Sequence, residues 1–305
     1  MPKIKEKLTA FAPAKVNLHL VVKDRRPDGF HDLESVFLAV DFGDTLHFQL
    51  VEGENLIEIT NTPLRGIKMI SDPKKNIIFK AVSLFKARTG FSRGLKVRLE
   101  KRIPIGGGLG GGSSNAAATL LALNKIAGFP LNREALLEMA AALGSDVPFF
   151  ICETGAAWVT GRGEYISPIK APRLFFVLVN PGFSSKTAAA FRLLDEYRSQ
   201  NPHTGARGGD SVPPYLRVMN MGIDFFQNDF LDVFSEREKS VYNGIIWQLR
   251  EQGALFAGLS GTGSTCFGVF EKKEQTQKAA DALRGKWDIV KRCCSLYEQI
   301  PEKSQ

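Results

Sequence analysis

The chain has few of the residues that build disulfide frameworks and metal clusters. Its 305 residues include only four cysteines and four histidines. The cysteines form no C-x-x-C pair and have no partner histidines; they are Cys152, Cys266, Cys293 and Cys294. This usage is typical of reduced thiols, so we expect a cytoplasmic protein without structural disulfides.

Long apolar runs and dense tracts of one charge are also absent. No stretch reaches 18 apolar residues, and the first residues lack the apolar core of a signal peptide, so we expect no membrane segment. The net charge is +8, but the 40 basic residues are spread along the chain. Nucleic acid is therefore not indicated, and an anionic small molecule explains the charge equally well. We expect a monomer or weak homodimer.

Glycine is concentrated in one segment. Residues 104–114 read PIGGGLGGGSS, and strong helix formers follow from Asn115. Glycine lets the backbone adopt positive φ and approach a ligand closely, and Ser113 or Ser114 can cap the helix that follows. A helix start attracts anions, so the segment predicts a phosphate-binding loop. Its candidate residues are Pro104, Ile105, Gly106, Gly107, Gly108, Leu109, Gly110, Gly111, Gly112, Ser113 and Ser114.

This loop lacks the marks of three common nucleotide-binding types. A Walker A loop requires Lys-Ser/Thr where Gly112 and Ser113 stand. The strand before it, residues 95–103, alternates apolar and charged residues, whereas a dinucleotide fold has a wholly apolar strand there. Protein kinases need a downstream H-R-D, which is absent, and the D-F-G at 41–43 precedes the loop. A glycine-rich turn without a ligand is the remaining alternative.

The apolar periodicity predicts strands and helices mixed without βαβ regularity, hence an α+β fold. Glycine and proline cluster between residues 160 and 172, which predicts two domains, 1–165 and 166–305. The predicted strands are 8–22, 32–50 with a turn at 41–44, 55–60, 95–103, 156–160, 174–180 and a strand–turn–strand unit at 254–270. The predicted helices are 77–88 capped by Asn76 and ended near Gly90, one from the glycine loop to about 127, 131–144, 186–199, 215–234 and 236–252, before a last helix and strand. A polar loop is predicted at 201–214.

Three further segments place polar residues among apolar ones. A two-residue period puts Lys15, Asn17 and His19 on one strand face. Lys15 is then either solvated or directed at an anion, and the segment alone favours the solvated position. Asp146 lies in a turn before an apolar run, where capping or turn formation is its usual role. Residues 259–264 (LSGTGS) form a second glycine-rich turn, either a plain hairpin or a presenter of backbone N–H groups.

Together these segments resemble the three motifs of the GHMP kinases, the superfamily of galactokinase, homoserine kinase and the mevalonate-pathway kinases. The motifs are PAKVNL at 13–18, the loop at 104–114 and SGTG at 260–263. The resemblance spans residues 9 to about 270. It implies a two-domain GHMP kinase fold, with a ribosomal protein S5 domain 2-like N-terminal half and a ferredoxin-like C-terminal half.

Four details look like one branch, the 4-diphosphocytidyl-2-C-methyl-D-erythritol kinases. These are the form GGGLGGGSS, PDGFH at 27–31, GSDVPFF at 144–150 and NDF at 228–230. The resemblance implies ATP- and Mg²⁺-dependent phosphorylation of the 2-hydroxyl of a cytidine diphosphate-linked small molecule in the non-mevalonate isoprenoid pathway. The alternatives are another GHMP kinase, acting on homoserine or in the mevalonate pathway, and a non-enzymatic nucleotide- or RNA-binding protein.

The resemblance also implies residue roles in the transfer step. Asp146 would accept the proton of the attacking hydroxyl, and Lys15 would hold Asp146 ionised and stabilise charge on the moving group. Asn17 would orient substrate hydroxyls. No protein ligand of a metal is implied.

Further residues are implied for the base of the substrate. His31 would hydrogen-bond the cytosine edge, and Phe30 and Phe191 would sandwich the ring. The family usually has tyrosine where this chain has Phe30, so stacking should survive while a phenol hydrogen bond is lost.

Overall fold

The computed structural model of the protein describes residues 6–53, 56–61, 76–201 and 226–296. Its strands are β1 (Lys7–Arg25), β2 (His31–Val51), β3 (Leu56–Asn61), β4 (Gly94–Lys101), β5 (Ala156–Thr160), β6 (Tyr165–Pro168), β7 (Phe175–Asn180), β8 (Phe256–Leu259), β9 (Cys266–Phe270) and β10 (Ile289–Cys294). Its α-helices are α1 (Ile77–Thr89), α2 (Gly111–Ile126), α3 (Arg133–Leu143), α4 (Val147–Ile151), α5 (Thr187–Gln200), α6 (Glu236–Glu251) and α7 (Lys273–Leu283). None of the helices in these ranges is long and apolar enough to span a membrane.

The chain divides into two compact units that interleave along the sequence. The first unit comprises Met1–Ala14, Gly43–Ile105 and Gly110–Glu153, and the second comprises Lys15–Phe42, Gly106–Leu109 and Thr154–Gln305. Both units receive part of β1 and β2, because these strands run unbroken for 19 and 21 residues. The single boundary that the sequence predicts at residue 165 stays a prediction.

The helix α1 and the strand β4 of the first unit agree with the sequence-based predictions. In α1, the predicted cap Asn76 accepts a hydrogen bond from the N–H of Ile78, and Gly90 ends the helix in the left-handed conformation. Strand β4 pairs antiparallel with Thr45–Val51 of β2 and parallel with β3. Its buried apolar residues alternate with more exposed ones, which confirms the predicted half-buried strand; they are Leu95, Val97 and Leu99.

One prediction for this part of the chain is wrong. Residues 41–44 form no turn, and β2 continues through them. Only glycine fits at position 43 of this strand, because a Cβ there would lie 2.4 Å from the carbonyl oxygen of Ala12. Asp44 is fully buried, and its carboxylate is tolerated inside the strand because Lys101 pairs with it at 2.6 Å.

The second unit contains a four-stranded antiparallel sheet in the order β10-β7-β9-β8. Side chains from the sheet and from α5, α6 and α7 form its core, including Val177, Val179, Leu194, Tyr242, Ile245, Phe270 and Ala279. Strand β5 pairs with Ser35–Leu38 of β2 and with β6. This mixture of helices and mostly antiparallel sheets confirms the α+β class.

Two predicted segments of this unit fall partly or wholly outside the described residues. Of the helix predicted at 215–234, only 226–234 is described, and it holds a 3-10 helix, Asp229–Asp232, rather than an α-helix. The polar loop predicted at 201–214 lies outside the described residues beyond Asn201.

Candidate active site

The central part of the glycine loop, Gly106–Leu109, is held through its own carbonyl groups. Gly106 accepts from Ser185 N, Gly107 from Thr265 N and Leu109 from Lys15 N, at 2.9 to 3.1 Å, and Gly108 accepts from Ser260 Oγ at 3.0 Å. Gly106 and Gly108 have φ of 67° and 74°. A Cβ at Gly108 would lie 2.0 Å from the carbonyl oxygen of Ser260, so only glycine fits there.

The second glycine-rich turn therefore has a structural role next to the loop. Besides the Ser260 contact, Asn228 donates from Nδ2 to the carbonyls of Leu259 and Gly261, both at 2.8 Å. The turn thus accepts hydrogen bonds from Asn228 and donates one, from Ser260 Oγ, to Gly108. Whether it also presents N–H groups to a ligand stays a prediction.

The last part of the loop forms the start of α2 in the first unit. Gly110 occupies the N-cap position in the left-handed conformation, without a side-chain cap, and the helix begins at Gly111. The prediction that Ser113 or Ser114 caps this helix is therefore wrong, because both lie inside its first turn. The side-chain oxygens Ser114 Oγ and Asn115 Oδ1 are buried and have no hydrogen-bond partner within the described part of the chain. Buried polar oxygens normally have a hydrogen-bond partner, so these two are suited to a polar ligand or an ordered water.

A buried ion pair fixes the chain just before the loop. Asp44 Oδ2 accepts from Lys101 Nζ at 2.6 Å, and Asp44 Oδ1 accepts from the backbone N–H groups of Arg102 and Ile103 at 2.7 and 2.8 Å. Burial lowers the pKa of the Lys101 ammonium, and the charge of Asp44 opposes that shift. A Cβ at Gly111 would lie 3.0 Å from Lys101 Nζ, so the pair packs directly against the start of α2.

Lys15 and Asn17 lie in the interior of the second unit. Lys15 is 4% exposed, which makes the solvated position that its segment alone favoured wrong. Its Nζ donates to Asn17 Oδ1 at 2.6 Å and lies 4.4 Å from the ring centre of Phe37. Asn17 Nδ2 in turn donates to Ser35 Oγ at 2.9 Å, and Asn17 N donates to Ser260 Oγ at 3.2 Å. This network fixes the direction of both side chains.

Asp146 lies in the first unit, between α3 and α4. Gly144 ends α3, and Asp146 occupies the N-cap position of α4 without making a side-chain capping hydrogen bond. The side chain of Asp146 therefore does not have the capping role that is usual for aspartate at such a place. The residues after it, Val147–Ile151, are all buried, which anchors the backbone of Asp146 to the core.

The aromatic residues of the predicted base site lie in the second unit. Phe30 is 53% exposed and has the guanidinium of Arg162 4.7 Å from its ring centre. His31 is buried and stacks on Phe191, with ring centres 5.3 Å apart and an angle of 26° between the planes. Phe191 contacts Phe230 edge-on at 5.0 Å. One contact surface of Phe191 is therefore already used by His31.

Comparison with known proteins identifies the scaffold. Residues 76–154 match the family described as "GHMP kinases N terminal domain", and residues 222–289 match "GHMP kinases C terminal". The 4-diphosphocytidyl-2-C-methyl-D-erythritol kinase of Ralstonia pickettii (strain 12J) is 36% identical over 277 residues, 91% of this chain and 90% of that protein. The enzyme of the same name from Burkholderia orbicola (strain MC0-3) is 36% identical over 279 residues, with the same coverage of both chains.

The chain belongs to the 4-diphosphocytidyl-2-C-methyl-D-erythritol kinase family of GHMP kinases.

Solved structures agree with this placement. A crystal structure of 4-(cytidine 5'-diphospho)-2C-methyl-D-erythritol kinase has a TM-score of 0.77 and 29% identity, and the match covers 95% of this chain and all of that one. Homoserine kinase from Cytophaga hutchinsonii has a TM-score of 0.67 at 18% identity, covering 98% of this chain and 97% of that one. The second match shows a common GHMP kinase fold only.

Within this GHMP kinase, the structure joins some of the predicted site residues. Lys15 contacts Asn17, and His31 contacts Phe191. Asp146 belongs to the first unit and Lys15 to the second, so their pairing stays a prediction.

Sequence reasoning missed several supporting residues. A signal was available for Asp195, because it follows Phe191 by one helical turn on α5 and so shares its face. Asn228 was visible in the NDF motif, although its role was not. For Asp44 and Lys101 no local signal exists, because the two residues are far apart in sequence and each lies in an ordinary strand.

Proposed function

We propose that the protein transfers the γ-phosphoryl group of ATP to the 2-hydroxyl of 4-diphosphocytidyl-2-C-methyl-D-erythritol, a step of the non-mevalonate isoprenoid pathway. One observation carries the proposal: the relatives of this name match 91% of the chain at 36% identity. The retained Lys15 and Asp146 support an active kinase rather than a non-enzymatic nucleotide-binding protein.

The loop and the start of α2 would bind the ATP phosphates. Phosphoryl transfer needs positioning and charge neutralisation more than covalent help from the protein. The carbonyls of Gly106–Leu109 are all held by the protein, so this stretch enters the reaction in a fixed conformation. The N–H groups and dipole of α2 favour an anion at its first turn.

Asp146 and Lys15 would act on the acceptor hydroxyl. Asp146 would take its proton or orient it. Lys15 would stabilise negative charge on the transferred group, with its ammonium directed by Asn17 and Phe37. Asn17 would help to orient the substrate. These roles rest on the motif positions of the residues.

A divalent cation fits the start of α2. Ser114 Oγ and Asn115 Oδ1 are buried oxygens without partners among the described residues, and Mg²⁺ takes oxygen ligands from the protein and from phosphates. Ser114 is the residue we expect to hold it, with Asn115 beside it. When bound, Mg²⁺ would neutralise charge on the phosphates.

The cytidine end of the substrate would bind at the aromatic residues of the second unit. The exposed ring of Phe30 is available for stacking, and His31 would contact the base edge. Phe191 would contribute the other stacking surface. The expected partner is thus a small cytidine diphosphate-linked molecule, and the expected location is the cytoplasm, where the four free thiols would stay reduced.

The test is a coupled assay of ADP release with purified protein, ATP, Mg²⁺ and the diphosphocytidyl substrate. We expect turnover with this substrate and none with mevalonate or homoserine, which carry no base. Phosphorus NMR of the product should show a new phosphomonoester on the methylerythritol. Turnover with mevalonate or homoserine, and none with the diphosphocytidyl substrate, would assign the protein to another GHMP activity.

A further inference from the structure

A carboxylate of α5 contacts the histidine of the proposed base site. His31 Nε2 lies 2.8 Å from Asp195 Oδ1. The His31 side chain is 5% exposed, whereas that of Asp195 is 34% exposed. Asp195 is therefore partly exposed to solvent, and its carboxylate contacts Nε2 of a buried imidazole.

The imidazole is also fixed in its plane. Phe191, one turn before Asp195 on α5, stacks on the His31 ring with centres 5.3 Å apart. On the other side of the carboxylate, Arg25 Nη1 lies 3.9 Å from Asp195 Oδ2. A stacked face and a hydrogen bond from the same helix leave the ring little freedom to rotate or flip.

The chemistry of the pair then decides which nitrogen carries the proton. An ionised carboxylate accepts hydrogen bonds and does not donate, so the neutral imidazole holds its proton on Nε2 when it faces Asp195. Nδ1 is left as a bare acceptor. Substituting the carboxylate partner of a histidine by an amide is known to favour the wrong tautomer in a catalytic triad.

We propose that Asp195 is a positioning residue that fixes the tautomer of His31 and thereby makes the site accept cytosine and reject uracil. This inference rests on the proposed function. Cytosine offers an exocyclic amino donor where uracil offers a carbonyl acceptor. An unprotonated Nδ1 can accept a hydrogen bond from the amino group of cytosine. With uracil, Nδ1 and the carbonyl oxygen are both acceptors, so neither would have a hydrogen-bond partner.

The experiment compares CDP and UDP as ligands of the full-length protein by calorimetry. We expect the wild-type protein to bind CDP at least tenfold more tightly than UDP. Asp195→Asn should reduce that ratio about tenfold or more, because an amide can donate to Nε2 and move the proton to Nδ1. Asp195→Glu should keep a preference for CDP. Glu196→Gln, which removes the neighbouring exposed charge, should leave the ratio unchanged.

A second measurement reads the tautomer directly. Nitrogen-15 NMR of the imidazoles is tractable because the chain has only four histidines. We expect His31 to be protonated on Nε2 in the wild-type protein. Protonation on Nδ1, protonation on both nitrogens, equal binding of CDP and UDP, or an unchanged ratio in a folded Asp195→Asn would each overturn the inference.

Failure of the proposed function is visible separately. It would appear as absent ATP-dependent transfer to the diphosphocytidyl substrate by the wild-type protein, whatever the CDP to UDP ratio. If Asp195→Asn does not fold, as judged by circular dichroism, the Glu variant and the wild-type tautomer still decide the question.

Discussion

Lys15 is a charged side chain that the fold keeps almost wholly out of water. Burying an ammonium is costly unless it has polar partners, and here Asn17 Oδ1 lies at 2.6 Å while the face of Phe37 lies at 4.4 Å. A flexible surface lysine would have to be ordered each time a ligand binds. Because Lys15 is buried, the entropy cost of ordering its side chain is met during folding, as the proposed role in binding an anionic group requires.

The two proposed catalytic residues give the first prediction. Asp146→Asn and Lys15→Ala should each lower kcat by roughly 10²-fold or more, the scale for a positioned base or a charge stabiliser. The affinity for ATP should change little in Asp146→Asn, as measured by calorimetry. Glu138→Gln is the matched control, because its side chain is 73% exposed on α3. Near-normal turnover in Asp146→Asn would remove this residue from the mechanism.

Phe30 gives the second prediction. The guanidinium of Arg162 lies over its ring at 4.7 Å, but the residue is 53% exposed, so a base can stack on the exposed part of the ring. Because stacking contributes roughly 1–3 kcal/mol per base, Phe30→Ala should raise KM for the diphosphocytidyl substrate about tenfold to a hundredfold and leave KM for ATP unchanged. Phe30→Tyr, which introduces the residue usual in the family, should be neutral or slightly better.

The control for Phe30 is Phe129→Ala, which removes a phenylalanine that is 66% exposed in the first unit. This variant should alter neither KM. If Phe30→Ala instead raises KM for ATP and leaves KM for the diphosphocytidyl substrate unchanged, the assignment of the two ligands to their pockets is reversed.

Among the elements of the fold, the centre of the glycine loop is held by hydrogen bonds from other parts of the chain. Its central carbonyls are bound by β1, by the β8–β9 turn with the residue after it, and by Ser185 before α5. In the first unit, β4 ends at Lys101, just before the loop. The hydrogen bonds of Asp44 to Lys101, Arg102 and Ile103 fix the end of this strand. The centre of the loop therefore has external hydrogen-bond partners at each carbonyl although it is rich in glycine.

Gly108 gives the third prediction. A side chain at this position meets the Ser260 carbonyl oxygen at 2.0 Å and must adopt a φ of 74°. Gly108→Val should therefore lower both the melting temperature and the affinity for ATP, because a β-branched residue resists this φ and displaces the loop. Calorimetry and thermal melts measure the two effects.

The matched control is Gly244→Ala in α6, where an added Cβ has no atom within 4 Å. Alanine should stabilise this helix by roughly 0.5–1 kcal/mol and leave ATP binding unchanged. Unaltered ATP affinity in a folded Gly108→Val would mean that the phosphates bind elsewhere.

At the scale of the whole molecule, the net charge of +8 admits both small anions and nucleic acid as partners. The fourth prediction separates them by ligand-induced stabilisation. A ligand that binds only the folded state adds about 2.7 kcal/mol to the free energy of unfolding at 100 times its Kd. CDP and ATP should each raise the melting temperature, whereas mevalonate, homoserine and a short RNA should not. A clear shift with RNA at physiological salt would favour the nucleic-acid alternative.

Much of the fold could be predicted because its signals are local. The cap Asn76, the end of α1 at Gly90 and the alternation in β4 depend on neighbouring residues, and all were correctly predicted. The turn at 41–44 and the cap by Ser113 or Ser114 were wrong for different reasons. A distant contact, the pairing of Asp44 with Lys101, keeps 41–44 in the strand. At α2 the left-handed conformation of Gly110 lets the helix begin before either serine.

The class of fold, the positions of the motifs and the family follow from residue order alone. The way in which the site residues are held depends on long-range contacts. Lys15 is buried against Asn17 and Phe37, Gly108 is enclosed by Ser260, and His31 is fixed by Asp195. The physical reason is that burial and hydrogen bonding join residues far apart in the chain, and no local pattern records which distant side chain completes a contact.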